Sequence, residues 1–274
     1  MNKQKICIVG DGLSGLVSAI ALNQLPGIEV NLLAKKASIK ADRRITAISE
    51  SNLKFLKENI NTLNRNLFWP SKNIELFYET NKEKINFLNL NEKNDSLMHT
   101  FENDKIKNIL LKEIKKRKIR IIRKEIKNID DLRSYDLTIL CLGSNSKIYS
   151  KIIKDRSIKK DYKEVAITGY IKHKIKKLKT SQFFLKEGPL AILPFSKDKF
   201  SFVWSLDKSY YDINFKEINK IIEDKIKEVL SIKQKIIIDN VQSYPVTLRL
   251  KRQYYKKNIL ILGEGLHAIH PVAG

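Results

Sequence analysis

The residues best suited to chemistry stand near the start of the chain, where Gly10-Asp11-Gly12-Leu13-Ser14-Gly15 spell G-x-G-x-x-G. That spacing has a mechanism. Gly10 permits a tight turn, Gly12 lets a pyrophosphate approach bare backbone, and Gly15 lets a following helix pack closely on the preceding strand. Leu13 and Ser14 fall at the start of that helix, whose unpaired N–H groups would receive the phosphates. A second candidate group is Asp42-Arg43-Arg44, two guanidiniums beside an acid and just before a helix, suited to a phosphate or a polar cofactor chain. The third is the final run, Gly263-Glu264-Gly265-Leu266-His267-Ala268-Ile269-His270-Pro271-Val272-Ala273-Gly274. Glu264, His267 and His270 repeat every three residues, which raises a metal cluster. Helical metal pairs use His four apart, and Pro271 would interrupt a helix directly after His270, so no metal is expected. No Ser/His/Asp or Cys/His constellation is visible, and no catalytic side chain is assigned.

These groups need elements to position them. The apolar run 6–9 is one buried strand, and an apolar stretch over 16–25 is a helix stopped by Pro26-Gly27. Strand, glycine loop and helix together are the context that gives the motif its meaning. A second strand is expected over 28–33. A dinucleotide fold places an acid about 20 residues past the glycines for the ribose hydroxyls. Here the strand runs out as Leu32-Leu33-Ala34-Lys35-Lys36, with no acid. Two readings stay open: Lys35 and Lys36 serve a 2′-phosphate, or backbone or another side chain holds the ribose.

Further on, strands are expected over 74–78 and 85–90. A helix over 104–118 carries Ile106, Ile109, Leu110 and Ile114 on one face, and strands follow at 119–122 and 137–142. Such alternation predicts a parallel sheet. The second half changes character. Closely spaced strand-like runs at 165–171, 183–184, 190–195 and 200–205 predict an antiparallel sheet, interrupted by one helix over 212–230. Further strands are expected at 235–238 and 259–262. The fold class is therefore α/β: a Rossmann-type dinucleotide-binding domain with a parallel sheet, interleaved with an antiparallel-sheet domain. The first would comprise residues 1–70, 98–160 and 250–274, and the second 71–97 and 161–249.

Composition narrows the field. The chain has 274 residues, 42% of them hydrophobic, enough for a packed core. No apolar run reaches the ~18–20 residues of a membrane span, and no signal peptide is expected ahead of the first strand. Cys7 and Cys141 both fall in predicted strands and read as small core residues. The net charge of +23 is spread along the chain, and the basic runs lack interleaved aromatics, so nucleic acid is not the expected partner. Attraction to an anionic membrane surface is the remaining use for that charge.

Several of these motifs, in this order, resemble the flavin-dependent aromatic hydroxylases, in particular the ubiquinone-biosynthesis (2-polyprenylphenol) hydroxylase branch. The glycine loop is similar to that family's FAD pyrophosphate loop. Residues 42–49, Asp-Arg-Arg-Ile-Thr-Ala-Ile-Ser, resemble its D-x-R-x-x-A-(I/L)-(S/A) segment, with Arg44 in the flavin-contacting place. Gly188-Pro189-Leu190-Ala191-Ile192-Leu193-Pro194 followed by Phe202-Val203-Trp204-Ser205 is similar to the branch's G-P-x-A-x-L-P and V-W-S pair. Residues 262–274 resemble its L-(I/L)-G-D-A-A-H-x-x-H-P-x-A-G motif. The resemblance implies a para-hydroxybenzoate-hydroxylase-like fold and an FAD-dependent monooxygenase that hydroxylates a polyprenylated phenol with NAD(P)H and O₂. It assigns Gly10, Gly12, Leu13, Ser14, Gly15, Arg44, Gly263, Glu264, Pro271 and Gly274 to the cofactor. It implies a cytoplasmic location, with peripheral contact at the inner face of the membrane or with a ubiquinone-biosynthesis complex.

The chain also departs from the pattern. Ala34 replaces the strand-two acid, Ser144-Asn145 replace the middle Asp, and Glu264 replaces the ribityl-contacting Asp. Family members continue past Gly274 with G-Q-G-x-N-x-G-x-x-D, so a C-terminally truncated form is expected. A competing expectation is a non-catalytic remnant or scaffold that keeps the fold and binds FAD poorly or not at all.

Overall fold

The computed structural model describes residues 3–35, 42–81, 83–144, 146–152 and 157–270. The chain opens with strand β1 (Gln4–Val9), helix α1 (Leu13–Leu22) and strand β2 (Ile28–Ala34), and β1 and β2 pair in parallel. Ile6, Cys7, Ile8 and Val9 are all buried, as a central parallel strand covered on both faces requires. The six-stranded sheet runs Tyr255–Lys256, Ile259–Ile261, Leu137–Leu140, β1, β2, Arg120–Arg123, and only its first pair is antiparallel. One face carries a core of Ile8, Leu16, Ile20 and Leu32 with Leu110 and Ile114 of the helix Asn103–Lys116. The other carries Cys7, Val9, Leu33, Leu140 and Tyr149. This is the doubly wound arrangement, in which strand order reverses beside β1.

The second body is an eight-stranded sheet in the order His267–Ala268, Ile237–Lys251, Ser157–Lys172, Lys199–Asp207, Gly188–Pro194, Thr180–Leu185, Asn73–Glu79, Lys84–Asn91. Its one parallel pairing joins Thr180–Leu185 to Asn73–Glu79. Period-two alternation sends Phe200, Phe202, Trp204 and Leu206 to one face, where Ile218, Ile222, Ile226 and Val229 of the helix Ile218–Leu230 cover them. A third, three-stranded sheet of Ile45–Ile48, Met98–Glu102 and Trp69–Ser71 lies against the second body. There Thr100 Oγ1 donates to the Pro194 carbonyl at 2.5 Å, and the Ser71 and Thr180 hydroxyls meet at 2.6 Å.

Several elements differ from expectation. The helix expected over 212–230 is two, Lys208–Asn214 and Ile218–Leu230, with a 3₁₀ turn between. The first starts early because the Asp207 carboxylate accepts from the Ser209 and Tyr210 N–H groups. The strand read as 235–238 is part of the longer Ile237–Lys251, despite Pro245. Pro245 faces Val165 of the neighbouring strand, and among the described residues the strand's outer side is bonded near its end, at Arg249, Leu250 and Lys251. A proline without an N–H is tolerated on such an edge. Among the described residues no helix is long and apolar enough to cross a membrane.

Candidate functional site

Loops from the carboxyl ends of three parallel strands converge at the point where strand order reverses. The first is the glycine loop after β1. Gly10 has φ +115°, and a Cβ there would lie 2.3 Å from the Cys141 carbonyl oxygen. A Cβ on Gly15 would lie 2.0 Å from the Gly10 carbonyl oxygen. Both glycines are therefore held by close backbone packing. Gly12 differs: it has an ordinary extended conformation, caps α1 without a side-chain hydrogen bond, and a Cβ there would meet nothing within 4 Å. Open space above an uncapped helix N-terminus is what a pyrophosphate needs, so these residues fit the phosphate portion of a dinucleotide.

The second loop, Leu142-Gly143-Ser144, follows the strand Leu137–Leu140. The Leu142 N–H donates to the Tyr149 hydroxyl at 3.1 Å, and Arg249 donates to the Ser144 carbonyl. Burial pushes the Tyr149 phenol up to about 12, so it stays protonated. The third loop, Gly263-Glu264-Gly265, follows Ile259–Ile261. Gly263 has φ +73°, and its missing Cβ would lie 3.1 Å from Ser14 Oγ; a Cβ on Gly143 would lie 3.9 Å from Glu264 Oε2. The structure thus brings Gly10, Gly12, Leu13, Ser14, Gly15, Gly263 and Glu264 into one neighbourhood.

Arg44 joins them from just before the strand Ile45–Ile48. Its Nε and Nη2 donate to the two Asp42 carboxylate oxygens at 2.7 and 2.8 Å, and its Nη1 lies 3.8 Å from Glu264 Oε1. Burial opposes ionisation of Asp42, but the hydrogen bonds and charge of Arg44, with Asn103 donating at 3.1 Å, hold its carboxyl below the usual range. The same Asp42 bonds push the Arg44 guanidinium up. Glu264 keeps most of its side chain exposed, free to accept from a ligand hydroxyl. Asp42 also lines a cavity of about 280 Å³ with Glu102, Tyr170 and Phe195. Pro271 and Gly274, the remaining sequence candidates, lie outside the described residues.

Sequence reasoning singled out Ala34 and Lys35 at the strand-two end but missed Arg123 and Glu125, which frame it. Ala34 is buried there, in place of the expected acid. Arg123, from the neighbouring strand, donates through Nη1 to Asp11 Oδ2 at 3.0 Å and to the Lys35 carbonyl at 3.1 Å. Lys35 itself pairs with Glu125 at 2.6 Å. The only sequence signal for Arg123 is its place at the end of an expected parallel strand. His270, considered for a metal, instead meets Glu164 at 2.6 Å, and no metal-competent group of His, Cys, Asp and Glu occurs among the described residues.

No protein-family model and no curated protein matches the chain. Solved structures do. The flavin-dependent halogenase CmlS is 16% identical, with 97% of this chain and 54% of that one covered at a TM-score of 0.75. The p-nitrophenol 4-monooxygenase PnpA from Pseudomonas putida DLL-E4 is 15% identical, covering 99% and 75% at 0.75. Aklavinone-11 hydroxylase, in a ternary complex with FAD and aklavinone, is 12% identical, covering 99% and 59% at 0.69. The chain therefore spans between about half and three quarters of the length of these structures. At such identities the likeness is one of fold. The chain has the para-hydroxybenzoate-hydroxylase-like fold that flavin-dependent hydroxylases and halogenases share.

Proposed function

We propose that this chain binds FAD and belongs to an FAD-dependent monooxygenase acting on an aromatic substrate. The observation that carries the reading is the convergence of the open Gly12 cradle, Glu264 and Arg44 at the strand-order switch of a fold whose solved examples include flavin-dependent oxygenases. In this reading the α1 N-terminus holds the pyrophosphate, Glu264 accepts from the ribityl chain, and Arg44 meets a phosphate or the flavin edge. Pro271 and Gly274 would line the flavin's edge. Bound flavin supplies the redox and oxygen-transfer chemistry. The protein's own contribution is to orient the ring system and exclude water.

The finer reading follows the sequence motifs. The G-P-L-A-I-L-P and V-W-S segments form adjacent antiparallel strands, with Ala191 opposite Val203. They support a substrate of the polyprenylated phenol class, hydroxylated in ubiquinone biosynthesis with NAD(P)H as reductant. The net charge of +23 is compatible with peripheral contact at an anionic membrane surface. A second reading, a non-catalytic scaffold, is favoured by Ala34, which is buried and offers the adenosine ribose no side-chain acceptor.

The deciding experiment is the visible absorbance spectrum of the purified chain before and after excess FAD. Two flavin bands that co-elute with the protein and are lost in Gly12→Val are expected. A protein that remains colourless under excess FAD would favour the scaffold.

A further inference from the structure

A dinucleotide fold meets the adenosine ribose at the end of its second strand, usually through an acid. In this chain Ala34 closes that strand and is buried. Lys35, next in line, is not free for a 2′-phosphate, because its ammonium is paired with Glu125 at 2.6 Å. An acid nonetheless reaches the place from another element. Arg123 ends the neighbouring parallel strand and stands opposite Ala34 in the ladder. Its guanidinium crosses the end of β2. There one nitrogen, Nη1, donates both to the Lys35 carbonyl at 3.1 Å and to Asp11 Oδ2 at 3.0 Å. Asp11 lies between Gly10 and Gly12. The shared donor thus holds a carboxylate of the glycine loop beside the first residue past β2.

Two properties suit that carboxylate to a ligand. Only one of its oxygens is engaged: among the described residues Oδ1 has no partner. Its side chain is 26% exposed, next to Gly12, where a Cβ would meet nothing within 4 Å. Anchored through one oxygen, Asp11 has already given up side-chain freedom, so receiving a hydroxyl on the other costs little further ordering. A carboxylate acceptor also makes the stronger, charge-assisted kind of hydrogen bond.

We propose, resting on the FAD reading of this site, that Asp11 accepts from the adenosine ribose hydroxyls in place of the absent strand-two acid. Arg123 is the positioning residue that holds it there. The site then takes a dinucleotide whose ribose is unphosphorylated. A 2′-phosphate would set its charge against the Asp11 carboxylate, and the facing guanidinium is already balanced by that carboxylate.

The test is calorimetric titration of the intact, flavin-free chain with ADP, the adenosine half of FAD, and with 2′,3′-dideoxy-ADP, which keeps the diphosphate and lacks both hydroxyls. Wild type should bind ADP about tenfold or more tighter than the dideoxy analogue, as loss of a hydrogen bond to a charged group implies. In Asp11→Ala, ADP and FAD should weaken by a similar factor, and the two ADP ligands should bind alike. Arg123→Gln should weaken ADP by up to about fivefold, the reach of an exposed pair. In the Asp11→Ala background it should change nothing, which is the coupling a positioning residue requires. Asp11→Asn, which keeps the shape and loses the charge, repeats the comparison if the alanine variant does not fold.

Unchanged ADP affinity in Asp11→Ala would overturn the proposal. So would equal losses for ADP and its dideoxy analogue, which would make Asp11 a shaper of the loop only. Tighter binding of ADP carrying a 2′-phosphate would assign Arg123 to that phosphate and overturn it as well. Any of these in a chain that binds FAD leaves the FAD reading standing. A wild-type chain that binds neither FAD nor ADP overturns both.

Discussion

Arg44 and Glu264, from opposite ends of the chain, stand with guanidinium nitrogen and carboxylate oxygen 3.8 Å apart, while Arg44 keeps its two short bonds for Asp42. Asp42 is thus the anchor and Glu264 the partner that can be released to a ligand. Arg44→Ala should leave the fold intact, since exposed pairs of this kind contribute at most about 1 kcal/mol. It should weaken FAD binding about tenfold or more, as loss of a charge-assisted hydrogen bond does. Flavin fluorescence titration checks this, and unchanged affinity would remove Arg44 from the site.

The three glycines of the loop should separate by role. Gly12→Ala meets open space at an allowed backbone conformation. Its thermal stability should be close to wild type while FAD affinity falls. Gly15→Ala would press a methyl into the Gly10 carbonyl and should cost ~3 kcal/mol or more by overpacking. Thermal denaturation of the two apoproteins tests the contrast, which equal stability losses would contradict.

Cys7 and Cys141 are buried, and burial pushes each thiol up to about 12. Because the thiolate is the reactive form, neither should react with a thiol reagent in the native protein at neutral pH, and both should react in denaturant. Rapid native labelling of either would show that the six-stranded sheet opens.

His173 is buried, with its Nδ1 accepting from the Ile175 N–H at 3.0 Å. Burial lowers its pKa, and Asp198 opposes this only in part. A histidine depressed in the folded state binds its proton more tightly when unfolded. Its contribution to stability is thus complete above about pH 6.5 and is lost as pH falls below that value toward the folded pKa. The melting temperature should decline from pH 7.5 to pH 5.5, less so in His173→Asn. Equal pH dependence in both proteins would show that His173 is not the cause.

The glycine loop was legible because its chemistry is local: strand, turn and helix start are contiguous, and the spacing of the three glycines is itself the motif. Arg44 and Glu264 were legible as motif members, but their mutual approach was not, because it depends on a sheet edge and a returning strand far apart in sequence. Arg123 was invisible for the same reason. Its role comes from lying one strand away from β2, a fact of strand order. The three-stranded sheet went unseen because its strands have three to five residues and pair across long separations, leaving too little periodicity to read. The broken helix at Asn214 was missed because the apolar pattern continues through it while the hydrogen bonding does not.

The parallel seam between Thr180–Leu185 and Asn73–Glu79 closes late in the life of a nascent chain. The hairpin of Asn73–Glu79 and Lys84–Asn91 is synthesised roughly ninety residues before the strand it must join, and a ribosome adds about 5–20 residues per second. For some seconds its apolar side chains have no sheet to belong to. Contacts this distant in sequence also slow folding. Efficient production of this protein should therefore depend on holding that hairpin apart from its neighbours until the seam closes.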